Sequence, residues 1–152
     1  MAAYRHFADK SALLAAISEI GFTRFAEALE AAGQTRKGHF GRLEEMGVAY
    51  VRFAMTHRAQ FEVMFGEHGE PQNLSESGRK VAERSLLVLL DAIQDGQRAG
   101  KFIDADSLSV AHLVWATVHG ISLLQLEPDP AGEAALTRTI IQLLKQGLQP
   151  RK

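Results

Sequence analysis

A chain of 152 residues, 46% hydrophobic and 23% charged, is long enough for one buried core and too apolar to stay unfolded. Its formal net charge of −1 excludes a protein that wraps nucleic acid over its whole surface, so any such contact must be local. Cysteine is absent, which excludes disulfides and thiolate catalysis.

The polar opening MAAYRHFADK lacks the apolar region of a secretory signal. No apolar stretch approaches the roughly 20 residues of a spanning helix, so the expectation is a cytoplasmic protein with no membrane partner. Asp9 is a good N-cap, and behind it Leu13, Leu14, Ile17, Phe25 and Leu29 keep helical spacing as far as Gly33. A second helix is predicted from Phe40 to about His57, with Leu43, Met46, Tyr50 and Phe53 on its apolar side. HRAQFEVMFG (57–66) continues as a short third segment carrying Phe61, Met64 and Phe65.

GEHGEPQN (66–73) is the clearest loop, with two glycines and Pro71. Residues 74–100 follow as a helix. The run Leu86–Leu90 alone would also suit a strand, and the length of the flanking periodicity decides for helix. FIDAD then supplies a cap at Asp104 or Asp106 for a helix from about Ser107 to Leu126. EPDPAGE interrupts it, and AALTRTIIQLLKQGL closes the chain. With no internal repeat and no credible strand pair, the fold class is all-α.

The last two helices carry more apolar surface than one core needs. Leu108, Ala111, Trp115, Val118 and Ser122 form one stripe of the first, and Val110, Leu113, Val114, Ile121 and Leu124 another. In the second, Leu136, Ile140, Ile141, Leu143, Leu144 and Leu148 cover more than half the circumference. A surface helix ordinarily shows a single apolar stripe. Either both helices lie deep in one monomer, or a second face is buried in a two-fold dimer.

YRHFADKSALL (4–14) joins Tyr4, His6, Phe7, Asp9, Lys10 and Leu13 in one register. It resembles the end of the helix-turn-helix in TetR-type transcriptional regulators. Tyrosine and histidine there donate hydrogen bonds to DNA phosphates, and a lysine in the first turn of the next helix suits a phosphate just beyond it. WATVHGIS (115–122) places Trp115, His119 and Gly120 as in the Trp-His-Gly (WHG) type of ligand-binding domain of that family.

The resemblance implies a TetR-like helical bundle dimerising through the helices near 107–126 and 133–148. Residues 1–8 would be the remnant of the recognition helix, and 9–152 the ligand-binding and dimerisation domain. Two further helices precede this point in TetR-like chains, so the chain reads as truncated in its helix-turn-helix. The implied function is a ligand-responsive transcriptional regulator, in the sense of a repressor, that grips operator DNA in its full-length form through Tyr4, His6 and Lys10. The alternative is a helical dimeric ligand-binding module without DNA binding.

A small, mainly apolar effector would sit among the helices between residues 9 and 126. Independently of the resemblance, the first half of the chain is rich in aromatic and methionine residues, which make adaptable apolar walls or plain core. Phe22, Phe25, Leu29, Phe53, Phe61 and Met64 are the apolar candidates. Tyr50, His57, Trp115 and His119 each bring a polar tip to an apolar face, and a buried tip needs a partner. Trp115 and His119 share one helix face, as do Tyr50 and His57. Either pair is a binding group or a structural network.

An enzyme is the rival class. Glu67, His68 and Glu70 cluster in the loop without a second ligand set at standard spacing. His112 and His119 are seven apart, not the four of a two-histidine zinc helix. No nucleophile elbow and no phosphate-cradling glycine loop is present. The expectation is no catalysis, no metal and no cofactor.

Overall fold

The computed structural model describes residues 7, 9–35, 38–66, 73–124 and 129–150. These form α1 (Lys10–Gly33), α2 (His39–Thr56), α3 (Arg58–Phe65), α4 (Glu76–Arg98), α5 (Ser107–Leu124) and α6 (Pro130–Leu148). The all-α class stands, with no strand among the described residues. Most of the expected loop at 66–73, with Glu67, His68 and Glu70, lies outside the described residues.

Local chemistry sets the ends of these helices. The Asp9 carboxylate accepts the Ala12 N–H at 2.8 Å and opens α1. Ser75 does the same for α4 through Gly78 N–H at 2.9 Å, and Asp106, one of two expected caps, opens α5 through Ser109 N–H at 2.8 Å. Gly100 stops α4 with φ +63°, the left-handed region that glycine enters at no steric cost. Lys101 N–H and Gly100 N–H return to the carbonyls of Gly96 and Gln97, so the helix ends in a Schellman motif. Its chain reversal lays Phe102 against Gly96, where a Cβ would run into the ring.

The closing helix departs from expectation. It begins at Pro130, inside the stretch read as a break. Asp129 accepts from Ala131 and Gly132 N–H at 2.9 and 3.0 Å, and Pro130 occupies the first turn, where its missing N–H costs nothing.

The helices pack round α1 and α2. The first lies on α4, α2 and α3, while the second also contacts α5 and α6. One buried cluster gathers Phe22, Phe25, Tyr50, Phe53 and Phe61. Another gathers Leu43, Leu89, Ile93, Phe102 and Val114. Trp115 packs against both and joins them. Each fully buried aromatic contributes about 2–3 kcal/mol.

A second departure concerns α5. Its 18 residues have mean hydropathy 1.4, long and apolar enough by length and composition to cross a membrane, and one third of them are buried in the fold. The expectation that no stretch approaches spanning length is corrected to that extent. Val110, Ala111, Val114, Val118 and Ile121 turn inward, whereas Leu108, Leu113, Leu123 and Leu124 are exposed.

Candidate functional site

The floor of the site is built from α1 and α3, which side chains lock together. Ser18 Oγ donates to the Val63 carbonyl and Gln60 Nε2 to the Ile17 carbonyl, both at 3.2 Å. On its other side α1 is tied to α4, where Ser75 Oγ donates to Glu19 at 2.9 Å and Arg84 forks onto Glu30 at 2.6 and 2.8 Å.

Between these walls and α5 lies a cavity of about 610 Å³. That falls within the range of small-molecule pockets. Its walls are Phe22 from α1, Met64 and Phe65 from α3, Ala82 and Leu86 from α4, and Trp115 from α5, with buried Leu74 and exposed Gly66 also in the lining. Arg79, Glu83 and His112 complete the lining, and all three are exposed residues.

Of the sequence candidates for the ligand pocket, Phe22, Met64 and Trp115 meet at this cavity. Phe25 and Phe61, both fully buried, lie behind it in an aromatic lattice. Phe25 meets Tyr50, Phe65 and Trp115 edge-on at 4.8 to 6.0 Å. Leu29 and Tyr50 line a void of about 20 Å³ on another side of Trp115, too small for a ligand. Phe53 and His57 stack at 4.6 Å and border a separate depression among α1 and α2. His57 caps α2 at φ −124° and ψ 41°, outside helical geometry, and is exposed, so the face it was expected to share with Tyr50 does not exist.

Tyr50 instead meets His119 across α2 and α5, with its hydroxyl 2.7 Å from Nδ1. Burial pushes the phenol above its ordinary value and the imidazole below its own. The hydroxyl therefore stays protonated and donates when the imidazole carries its proton on Nε2. The pair satisfies two polar tips inside the aromatic lattice, and Phe65 at 4.9 Å from His119 connects it to the cavity wall. No group of three or more metal-binding side chains occurs among the described residues.

Tyr4 and His6 lie outside the described residues. Lys10 is the first residue of α1 and is exposed. It stands at one end of an unbroken 24-residue helix whose middle carries Phe22 into the cavity.

Elsewhere, α5 and α6 expose Leu113 (50%), Leu124 (68%) and Leu143 (64%). Gly120 and Gly147 have open space where a Cβ would stand, so both helices present a low, apolar outer surface. Beneath it Arg138 grips Glu44 and Glu45 at 2.7 Å, fixing α6 on α2, and Gln142 donates to the other Glu44 oxygen at 2.6 Å.

These features define an all-helical domain with an apolar cavity among four helices and an open apolar face on two. Residues 43–144 match the model of the tetracyclin repressor-like C-terminal domain, and the chain belongs to that family. The match includes WATVHGIS and begins downstream of YRHFADKSALL.

Among solved structures, a protein of unknown function from Rhodococcus sp. RHA1 is similar with a TM-score of 0.85 and 28% identity, over 94% of this chain and 75% of its own. A bacterial regulatory protein in the tetR family from Rhodococcus RHA1 follows with 0.79 and 22%, over 98% and 79%. The TetR family transcriptional regulator PfmR from Thermus thermophilus gives 0.79 and 21%, over 99% and 80%. The last two share the fold. No curated protein matches the chain.

Proposed function

We propose that the chain is the effector-binding and dimerisation part of a ligand-responsive transcriptional repressor of WHG type, working in the cytoplasm without catalysis. The observation that carries this reading is the 610 Å³ cavity, walled by Phe22 of the same continuous helix that begins at Lys10. A mainly apolar effector enters there against Phe22, Met64 and Trp115, with the Tyr50–His119 lattice as its backing. Two copies join through the open face of α5 and α6, and Leu113, Leu124 and Leu143 leave water in the dimer.

Operator DNA is held by Tyr4, His6 and Lys10 in the full-length protein. The distance from Lys10 to Phe25 is roughly 22 Å along the helix. A tilt of this rod changes the spacing of two DNA-reading heads, and half-sites about 34–36 Å apart tolerate little change.

The test is a mobility-shift titration of the full-length protein on DNA from upstream of its own gene. Lys10→Ala is expected to weaken binding uniformly and to lower the salt dependence by about one phosphate contact. No binding to that DNA by the unaltered protein, alongside a stable dimer, would favour the ligand-binding module that no longer touches DNA.

A further inference from the structure

Three aromatic rings meet at the wall of the cavity, one each from α1, α3 and α5: Phe22, Phe65 and Trp115. Phe22 stands on Phe65 at 5.3 Å and 76°, and Trp115 stands on the same ring at 6.2 Å and 63°. Among the described residues Phe22 has ring contact with Phe65 and none with Trp115. The two upright rings are therefore set apart on a common base, and both line the cavity. Residues 67–72, beyond Gly66, contain no phenylalanine, tyrosine or tryptophan, so this arrangement of rings does not depend on them.

The rings are held from behind. Phe25 meets Phe65 and Trp115 edge-on at 5.9 and 6.0 Å, Phe61 lies 4.6 Å from Phe65, and Tyr50 lies 5.2 Å from Trp115. The Tyr50–His119 hydrogen bond fixes that backing across α2 and α5. Phe65 and Trp115 thus have little room to turn aside for a bulky guest, and a guest that fits the rings as they stand avoids the cost of rearranging them. A flat ring meets that demand where a puckered or globular body of equal carbon count does not. Its hydrogen-rich edge can point at one aromatic face, and its own face can receive the edge of another ring. Those are the edge-to-face and offset contacts that pairs of rings prefer, and they add to what burial alone contributes.

We infer that the effector of this cavity carries a planar aromatic ring, seated between Phe22 and Trp115 over Phe65. The inference rests on the reading of the cavity as the effector site and narrows its apolar ligand to an aromatic one.

The probes are 3-phenyl-1-propanol and 3-cyclohexyl-1-propanol, which share a chain and a hydroxyl and differ in whether the ring is flat. Neither absorbs where tryptophan is excited. Trp115 is the only tryptophan in the chain and lines the cavity, so its emission reports occupancy at this place. Burial of apolar area alone favours the cyclohexyl compound, which has the larger apolar surface. The phenyl compound is nevertheless expected to bind about fivefold tighter. Equal affinity, or tighter binding of the cyclohexyl compound, overturns the aromatic assignment and leaves the effector cavity standing. No change of Trp115 emission with either compound overturns the effector-site reading, and this inference with it.

A variant tests the cause. Phe22→Leu keeps an apolar side chain in the wall and removes one ring. The preference for the phenyl compound is expected to fall to about twofold or less, while binding of the cyclohexyl compound shows that the cavity persists. A preference unchanged in that variant overturns the seat between the rings.

Discussion

At the residue scale, the Tyr50–His119 contact is where packing and polarity meet. Tyr50 is 2% exposed, and its hydroxyl has one designated acceptor at 2.7 Å. Tyr50→Phe keeps the ring contacts with Phe25 and Trp115 but strands Nδ1, so a loss of about 1–2 kcal/mol is expected in a urea titration. Burial sets His119 below its ordinary pKa of 6.5, so the folded state resists protonation more than the unfolded chain does. The sign follows: stability is full above pH 6.5 and is lost as pH falls toward the depressed folded value. Urea midpoints at about pH 7.5 and 5.5 should therefore differ, and His119→Gln should narrow the difference.

This residue pair also shows what a sequence conveys. Trp115 and His119 one turn apart on a helix are legible as a shared face, and the structure sets both beside Tyr50. The boundary near 57 is legible, but that it turns His57 outward, and that His119 bonds Tyr50 instead, depends on how α2 and α5 pack. Phe25 and Phe61 have the same apolar character as Phe22, so sequence gives no means to tell lattice from lining. Arg79 and Glu83 carried no signal, and His112 entered only through its spacing from His119, because a place in the cavity lining depends on which helices converge.

At the scale of the element, ends and clamps govern. Asp9, Asp106 and Gly100 are legible because a cap or a left-handed stop is a local event. The start of α6 was obscured because Asp-Pro-Ala-Gly reads equally as a turn and as a capped first turn. Its packing against α2, where Glu133 and Thr137 are buried, favours the second. Gly96 illustrates a tertiary demand on one position. Gly96→Ala gains about 1 kcal/mol of helix propensity but drives a methyl into the Phe102 ring, an overpacking cost of about 1–3 kcal/mol. A net fall in thermal midpoint is expected.

Arg138 is the clamp of α6. Nearby Glu45 and Glu44 hold its guanidinium well above the ordinary range, and the Glu44 side chain is only 7% exposed. Arg138→Met leaves that carboxylate without its charged partner from α6, and a loss of about 1.5–3 kcal/mol is expected by denaturant titration.

At the scale of the whole molecule, the apolar surplus of α5 and α6 is legible as composition, and the proposed dimer would cover it with a second copy. Leu113→Arg with Leu143→Arg is expected to convert a dimer to a folded monomer in light scattering, with helical content retained. A protein that stays dimeric with both arginines would place the contact elsewhere. The same scale contains the central claim, that filling the cavity moves the far end of α1.

The chain has no cysteine, so Ser11→Cys puts a single spin label in the exposed first turn of α1 beside Lys10. Pulsed dipolar spectroscopy then reads the separation of the two labels across the dimer, while Trp115 emission confirms that 3-phenyl-1-propanol occupies the cavity. One well-defined separation is expected, shifting by several ångströms when the cavity fills. An unmoved separation over a filled cavity, or no separation between protomers at all, would contradict it.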